Sequence, residues 1–354
     1  MTTQKTKTRI RLGRDFMAGT PTAPGHVGEL DAAAVRSVKE AYQGLRTQLA
    51  TRIVGMEGVI EELLISLFAG GHCLLVGVPG LAKTLLVRSL AEMLDLHYSR
   101  IQFTPDMMPS DITGTEVIVR EAEGDERGFR FLRGPVFANL LLADEVNRTP
   151  PKTQAALLEA MEEGMVTSVG QRYSLDPPFF VMATQNPIEQ EGTYGLPFSQ
   201  LDRFMFNCLL DYPSLEEEYK IVRKTVSADP APLSVVMTKD DILRAIHWVR
   251  LVRIDERLLS ACVDLARRSR PASPRAPDFV KEWVHWGAGP RAPQYLILGA
   301  KARALLYGRR EVEEADIRAV AHPTLRHRLV LSFHAEADGV RPDDIVERLL
   351  AAGL

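Results

Sequence analysis

The sequence predicts an α/β protein: a parallel, phosphate-loop αβα sandwich of five strands with two β-hairpin inserts, followed by a smaller all-helical domain. Three observations predict it. Five apolar runs of strand length, at His72–Val76, Tyr98–Phe103, Asn139–Asp144, Phe179–Thr184 and Phe206–Leu210, are separated by helical or hairpin patterns, the order a parallel sheet requires. The first run passes through a Gly/Pro turn into a helix-like stretch from Leu85 to Leu94. Beyond Pro213-Ser214 only helical patterns remain.

The turn after the first strand reads Gly77-Val78-Pro79-Gly80-Leu81-Ala82-Lys83-Thr84. Strand, glycine-rich loop and helix in that order converge backbone N–H groups on an anion at a helix N-terminus. Gly77 and Gly80 let the backbone bend close to phosphates, Lys83 reaches the β- and γ-phosphates, and the Thr84 hydroxyl suits Mg²⁺. Ala82 stands where the G-x-x-x-x-G-K-[ST] pattern has its second glycine, which is acceptable if that residue is already helical. The plain alternative is a turn that merely ends a buried strand.

A chain of 354 residues is long for one core, so two domains are expected. A net charge of −3 does not make the chain as a whole an electrostatic binder of nucleic acid. Cys73, Cys208 and Cys262 are odd in number and far apart, as buried reduced thiols of a cytoplasmic protein would be. No apolar run approaches the ~20 residues of a membrane span, and no signal-peptide core is present.

Residues 1–30 read as a flexible basic tail, 31–212 as the nucleotide-binding domain and 213–354 as the helical lid. Asp31 caps a first helix to about Leu49, and a second runs from Glu57 to Phe68. Pro105, Pro109, Ser110 and Asp111 make a loop before a hairpin at Glu116–Arg120 and Gly128–Phe131, around the acidic turn Glu121–Glu126. About sixty residues after the phosphate loop, the third strand ends in Asp144-Glu145, at the sheet edge where open α/β proteins bind ligands. Asp144 can hold Mg²⁺, and Glu145 can polarise the water that attacks a γ-phosphate.

Pro150-Pro151 starts a helix from Lys152 to Glu163, and a second hairpin follows at Met165–Ser168 and Gln171–Ser174. The fourth strand ends at Gln185-Asn186-Pro187, where Asn186 can bond both a water and a phosphate oxygen, or merely start a turn. Arg203 precedes the fifth strand, either as an ion-pair partner of Asp202 or as a cation offered to a neighbouring subunit. Ser214 and Glu217 have capping-box spacing. Arg291 starts a lid helix from which it can point into the nucleotide cleft. The histidines show no metal spacing; the tryptophans read as lid core, and Arg326-His327-Arg328 as a basic cluster that can equally line a subunit contact.

Taken together, the phosphate loop, Leu142-Ala143-Asp144-Glu145-Val146-Asn147-Arg148, Ala183-Thr184-Gln185-Asn186-Pro187 with Glu189-Gln190-Glu191-Gly192-Thr193-Tyr194, and Leu201-Asp202-Arg203-Phe204 resemble the MoxR family of AAA+ ATPases. The resemblance runs from about residue 32 to the C-terminus. It implies ATP bound between subunits of a hexameric ring and hydrolysed with Mg²⁺. Val54 and Gly55 would line the adenine pocket. Gly77, Pro79, Gly80, Leu81, Ala82, Lys83 and Thr84 would surround the phosphates, and Thr84 and Asp144 would hold the metal. Glu145, Asn186, the trans arginine finger Arg203 and the lid cation Arg291 would carry the chemistry. Members of this family often act as chaperones in the maturation of proteins with von Willebrand factor A domains. Phe198-Ser199 and Gly289 depart from the family's usual Glu-Ala and Ser near the two arginines. The alternatives are a nucleic-acid motor and a ring scaffold that binds ATP without turnover. Mixed charge on the first hairpin disfavours the motor, and the presence of both Glu145 and Arg203 disfavours the scaffold.

Overall fold

The computed structural model describes residues 29–120, 127–168, 170–187, 192–226 and 232–354. The basic tail as far as residue 28, the turn Glu121–Glu126, Glu189-Gln190-Glu191 and residues 227–231 lie outside them. The described chain opens with α1 (Ala32–Arg52), where the Asp31 carboxylate accepts the Ala34 N–H at 2.7 Å. Next come α2 (Glu57–Ala69), β1 (Cys73–Gly77), α3 (Lys83–Met93) and β2 (Tyr98–Gln102). The Pro109 segment is not all loop. It forms the single-turn α4 (Pro109–Thr113), because proline suits a first turn and Asp111 accepts the Met108 N–H at 2.8 Å.

The hairpin β3 (Gly114–Arg120) and β4 (Arg127–Arg133) precedes β5 (Leu140–Asp144). Then follow α5 (Pro151–Glu163), the hairpin β6 (Met165–Ser168) and β7 (Gln171–Ser174), β8 (Phe180–Gln185), the short α6 (Phe198–Leu201) and β9 (Phe206–Leu210). Phe131 stacks on Tyr173 with ring centroids 4.1 Å apart, so the two inserts touch.

Five strands make one parallel sheet in the order β2-β5-β8-β1-β9. Burial on both faces explains why their apolar runs are continuous rather than alternating. Leu74, Leu141 and Val181 meet Leu157 and Leu158 of α5 on one face. Leu75, Leu140 and Met182 meet the helices of the other face. Each fully buried Leu contributes about 2 kcal/mol by leaving water.

The lid begins with α7 (Leu215–Thr225), capped reciprocally by Ser214 and Glu217. It continues as α8 (Lys239–Leu251), α9 (Glu256–Arg268), α10 (Asp278–Trp283), β10 (Val284–Trp286), α11 (Arg291–Leu306), α12 (Glu314–Leu325), β11 (Val330–Leu331), α13 (Phe333–Ala337) and α14 (Pro342–Ala351). The helix expected to reach Trp286 stops at Trp283. The β-forming Val284-His285-Trp286 instead pairs antiparallel with β11, so the lid carries a small β ribbon beside its helices. Trp286 is exposed rather than lid core. Interior residues of α8, α9, α11, α12 and α14 join α1, α2 and α3 in one apolar cluster.

Arg328 is wholly buried, so the basic cluster around it does not line a surface. Its Nε donates to Asp202 Oδ1 at 2.8 Å, and its Nη2 to the carbonyls of Asp202 and Phe204 at 2.8 and 2.7 Å. It fastens the lid to the segment that leads into β9.

Candidate nucleotide-binding site

The phosphate loop joins β1 to α3 at the C-terminal edge of the sheet. Gly80 has φ 86°, a conformation glycine adopts without strain. Ala82 does not lie in the helix, as its tolerance there had suggested: it caps α3 in the left-handed region at φ 50°, ψ 22°. That geometry explains why glycine suits the position. Lys83 Nζ donates to the Gly77 carbonyl at 2.5 Å. Burial lowers the Lys83 pKa, while Asp144 and Glu145 act in the opposite direction. Lys83 therefore stands within electrostatic reach of both carboxylates.

A cavity of about 410 Å³, within the usual size of a small-molecule site, adjoins the loop. Val54 and Gly55, the residues expected at an adenine, line it together with Pro79, Gly80, Leu81 and Ala82 of the phosphate loop. Gly55 has φ 73°, and a Cβ there would come within 2.6 Å of the Glu217 carboxyl group. Sequence reasoning missed the far wall, formed by Tyr212 and by Ile221 and Val222 of α7. The amphipathic spacing of α7 directly after β9 was the available signal.

Asp144 ends β5 at the same edge. Its Oδ1 accepts the Thr184 hydroxyl at 2.7 Å, and its Oδ2 accepts Arg100 Nη2 at 2.6 Å. Glu145 sits at φ 58°, a strained conformation for a side chain of this size. Its N–H donates to Thr184 Oγ1 at 2.8 Å, and its Oε2 accepts Gln102 Nε2 at 2.9 Å and Arg148 Nη1 at 2.8 Å. Because β8 neighbours β5, Asn186 follows its strand at this edge, where it is buried. Arg100, Gln102 and Thr184 went unnoticed in the sequence. The two-residue spacing of Arg100 and Gln102 puts both on one face of β2, and the register sets Gln102 beside Asp144.

Thr84 and Asp144 offer only oxygen donors, and among the described residues no cluster of His, Cys, Asp and Glu builds a metal cage of its own. Such a donor set fits Mg²⁺, which keeps several waters and shares substrate phosphates with one or two protein oxygens.

The two arginines lie elsewhere. Arg203 Nη1 donates to the Leu158 carbonyl at 2.6 Å, and its Nη2 pairs with Glu162 at 2.8 Å rather than with Asp202. Asp202 is taken by Arg328. Arg291 Nη2 pairs with the other Glu162 oxygen at 2.5 Å, so within its own chain it does not point into the nucleotide cleft. Arg203 precedes β9, whose first residue pairs with Cys73 at the start of β1. Five residues of strand, roughly 16 Å, separate that edge from the phosphate loop.

A phosphate loop, an acidic pair ending the next strand but one in the sheet and a helical lid define the AAA+ class of P-loop proteins. Residues 72–206 match the model of an ATPase family associated with various cellular activities (AAA), and residues 279–349 match an AAA lid domain. The chain is 42% identical over 298 residues to chaperone MoxR1 of Mycobacterium tuberculosis, covering 84% of this chain and 78% of that protein. It is 42% identical over 301 residues to the uncharacterized protein YeaC of Bacillus subtilis, covering 85% and 90%. The crystal structure of a putative ATPase from Cytophaga hutchinsonii superposes with a TM-score of 0.84 at 39% identity, covering 91% of this chain and 97% of that one. The chain belongs to the MoxR family of AAA+ ATPases.

Proposed function

We propose that the protein hydrolyses ATP at the boundaries between subunits of a ring, most simply a hexamer, and uses the cycle to remodel or mature a partner protein. The observation that carries this is the separation of charges. The phosphate loop, Asp144, Glu145 and Asn186 share one sheet edge, while Arg203 and Arg291 sit together at the other. A single copy does not bring these groups to one nucleotide, whereas a head-to-tail ring would.

Lys83 and the loop N–H groups bind the phosphates, and Val54 and Gly55 flank the base. Thr84 and Asp144 would hold Mg²⁺, which neutralises phosphate charge when bound. Glu145 polarises the attacking water, and Asn186 orients it. The neighbour's Arg203 and Arg291 stabilise charge on the transferring group. The nucleotide-binding part spans 31–212 and the lid 213–354, with 1–30 as a tail. Free, buried thiols at Cys73, Cys208 and Cys262 suit the reducing cytoplasm.

The first hairpin exposes the cross-strand pair Ile118 and Phe129, which favours a protein client over a nucleic-acid track. A partner with a von Willebrand factor A domain is the client class the family suggests.

ATP hydrolysis and particle mass, measured together for the wild type and Glu145→Gln with ATP and Mg²⁺, test this. Loss of a water-polarising carboxylate should cost on the order of 10²–10⁴ in turnover while the ATP-bound ring persists. A wild type that binds ATP without ever hydrolysing it, or a variant with undiminished turnover, would overturn the proposal.

A further inference from the structure

Arg100 lies on the edge strand β2 with its side chain 44% exposed, so packing does not dictate where its guanidinium goes. It nevertheless reaches across the strand pair to Asp144. Both Nη2, at 2.6 Å, and Nε, at 3.2 Å, donate to the same oxygen, Oδ2. Asp144 Oδ1 is already engaged by Thr184. Nη2 also donates to Gln102 Oε1 at 2.5 Å, which turns the amide of Gln102 toward Glu145. One guanidinium thus occupies the acid proposed to serve the metal and orients a donor onto the acid proposed to serve the water.

We infer that Arg100 guards the metal ligand: its guanidinium competes with Mg²⁺ for Asp144, and loading of the metal–nucleotide complex requires that ion pair to open. This rests on the assignment of Asp144 to the metal. A guanidinium and a divalent cation held at one carboxylate oxygen repel each other, so each weakens the other's hold on Asp144. An exposed pair of this kind is weak, so the gate shifts the metal requirement without blocking it.

Binding of ADP, followed by titration calorimetry at stepped Mg²⁺ concentrations and in EDTA, tests the inference without relying on turnover. Arg100→Gln should bind ADP in EDTA within about twofold of wild type, yet reach its Mg²⁺-enhanced affinity at a roughly three- to tenfold lower Mg²⁺ concentration. Arg100→Lys, which keeps the charge, should stay near wild type. An unchanged Mg²⁺ requirement in Arg100→Gln overturns the gate. A raised requirement also overturns it and makes Arg100 an organiser of Asp144 instead. Asp144→Asn, run in parallel, separates the two levels. If Mg²⁺ enhancement of ADP affinity survives that change intact, the metal assignment falls and the gate with it. If the enhancement is lost, the Arg100 variants judge the gate alone.

Discussion

Replacing Arg328 by methionine should unfasten the lid from the arginine-bearing edge of the sheet. Arg328 has no exposed surface. It donates to Asp202 Oδ1 and to the carbonyls of Asp202, Phe204 and Met205 at 2.8, 2.8, 2.7 and 3.2 Å, and also to Thr324. The guanidinium carbon stands 5.1 Å from the centroid of the Tyr295 ring. Methionine fills similar volume but donates nothing. Among the described residues, Asp202 then keeps a distant contact with Arg291 at 3.8 Å, and the Phe204 carbonyl keeps His327 at 3.1 Å. Removing the buried guanidinium leaves several carbonyls desolvated and Asp202, 21% exposed, short of its main partner, which should cost about 3–5 kcal/mol. For a chain of this length that corresponds to a fall in Tm on the order of 5–10 °C.

Urea and thermal unfolding measure the stability loss, and the double variant Arg328→Met with Asp202→Leu supplies the control. With both charges gone, the double variant should be more stable than Arg328→Met alone. Function should follow the same contact. Tyr295 holds the Arg203 carbonyl at 3.2 Å beside this network, so a loosened segment displaces Arg203 and lowers ATP turnover while ADP affinity is kept. A loss below 1 kcal/mol, or a double variant less stable than the single one, would refute the assignment of Arg328 as the fastener.

Two further outcomes follow from strain and burial. Ala82→Gly removes a left-handed alanine worth about 1–2 kcal/mol of strain and adds roughly 0.5–1 kcal/mol of unfolded-state entropy, so thermal unfolding should show a gain of up to about 1 kcal/mol; a clear loss would contradict the strain. Burial pushes the Glu62 carboxyl up to about 7 from 4.5, so the fold favours its protonated form, and stability present below pH 4.5 is lost as pH rises through 7. Burial likewise pushes His72 down to about 4 from 6.5, giving the opposite slope: stability present above pH 6.5 is lost as pH falls toward 4. The two largely offset each other in the wild type. Glu62→Gln should therefore gain up to a few kcal/mol relative to wild type as pH rises from 4.5 to 7, read by urea unfolding at stepped pH, and a flat difference would contradict the burial.

Most of the sheet was legible because its strands are short apolar runs bounded by Gly, Pro and acidic residues; β6, β7 and β9 fall at the expected limits. The phosphate loop and Asp144-Glu145 were legible because their chemistry depends on local spacing. Arg203 and Arg291 were harder. A residue just before a parallel strand lies at the edge away from the ligand, and that consequence follows from topology, not from local pattern. The left-handed Ala82 and the ribbon of β10 and β11 were missed for a different reason. Backbone geometry at single residues is decided by what surrounds them, and Val284 extends because Leu331 is there to pair with it.

The charged groups of the proposed site share one arrangement. Asp144 is paired with Arg100, Glu145 with Arg148, and both Arg203 and Arg291 with Glu162. Each of these four side chains already has a partner within its own chain. All of these pairs are partly exposed, and such pairs contribute about 0–1 kcal/mol each. Strong internal pairs would trap the site, and absent ones would leave charges beside a half-buried cleft. Weak pairs satisfy these charges in a lone subunit while remaining exchangeable for the proposed phosphate, magnesium and second copy. In the proposed ring, surrender of the Glu162 contacts would be a small cost against the cation–phosphate contacts that would replace them, so nucleotide binding and ring formation should strengthen one another.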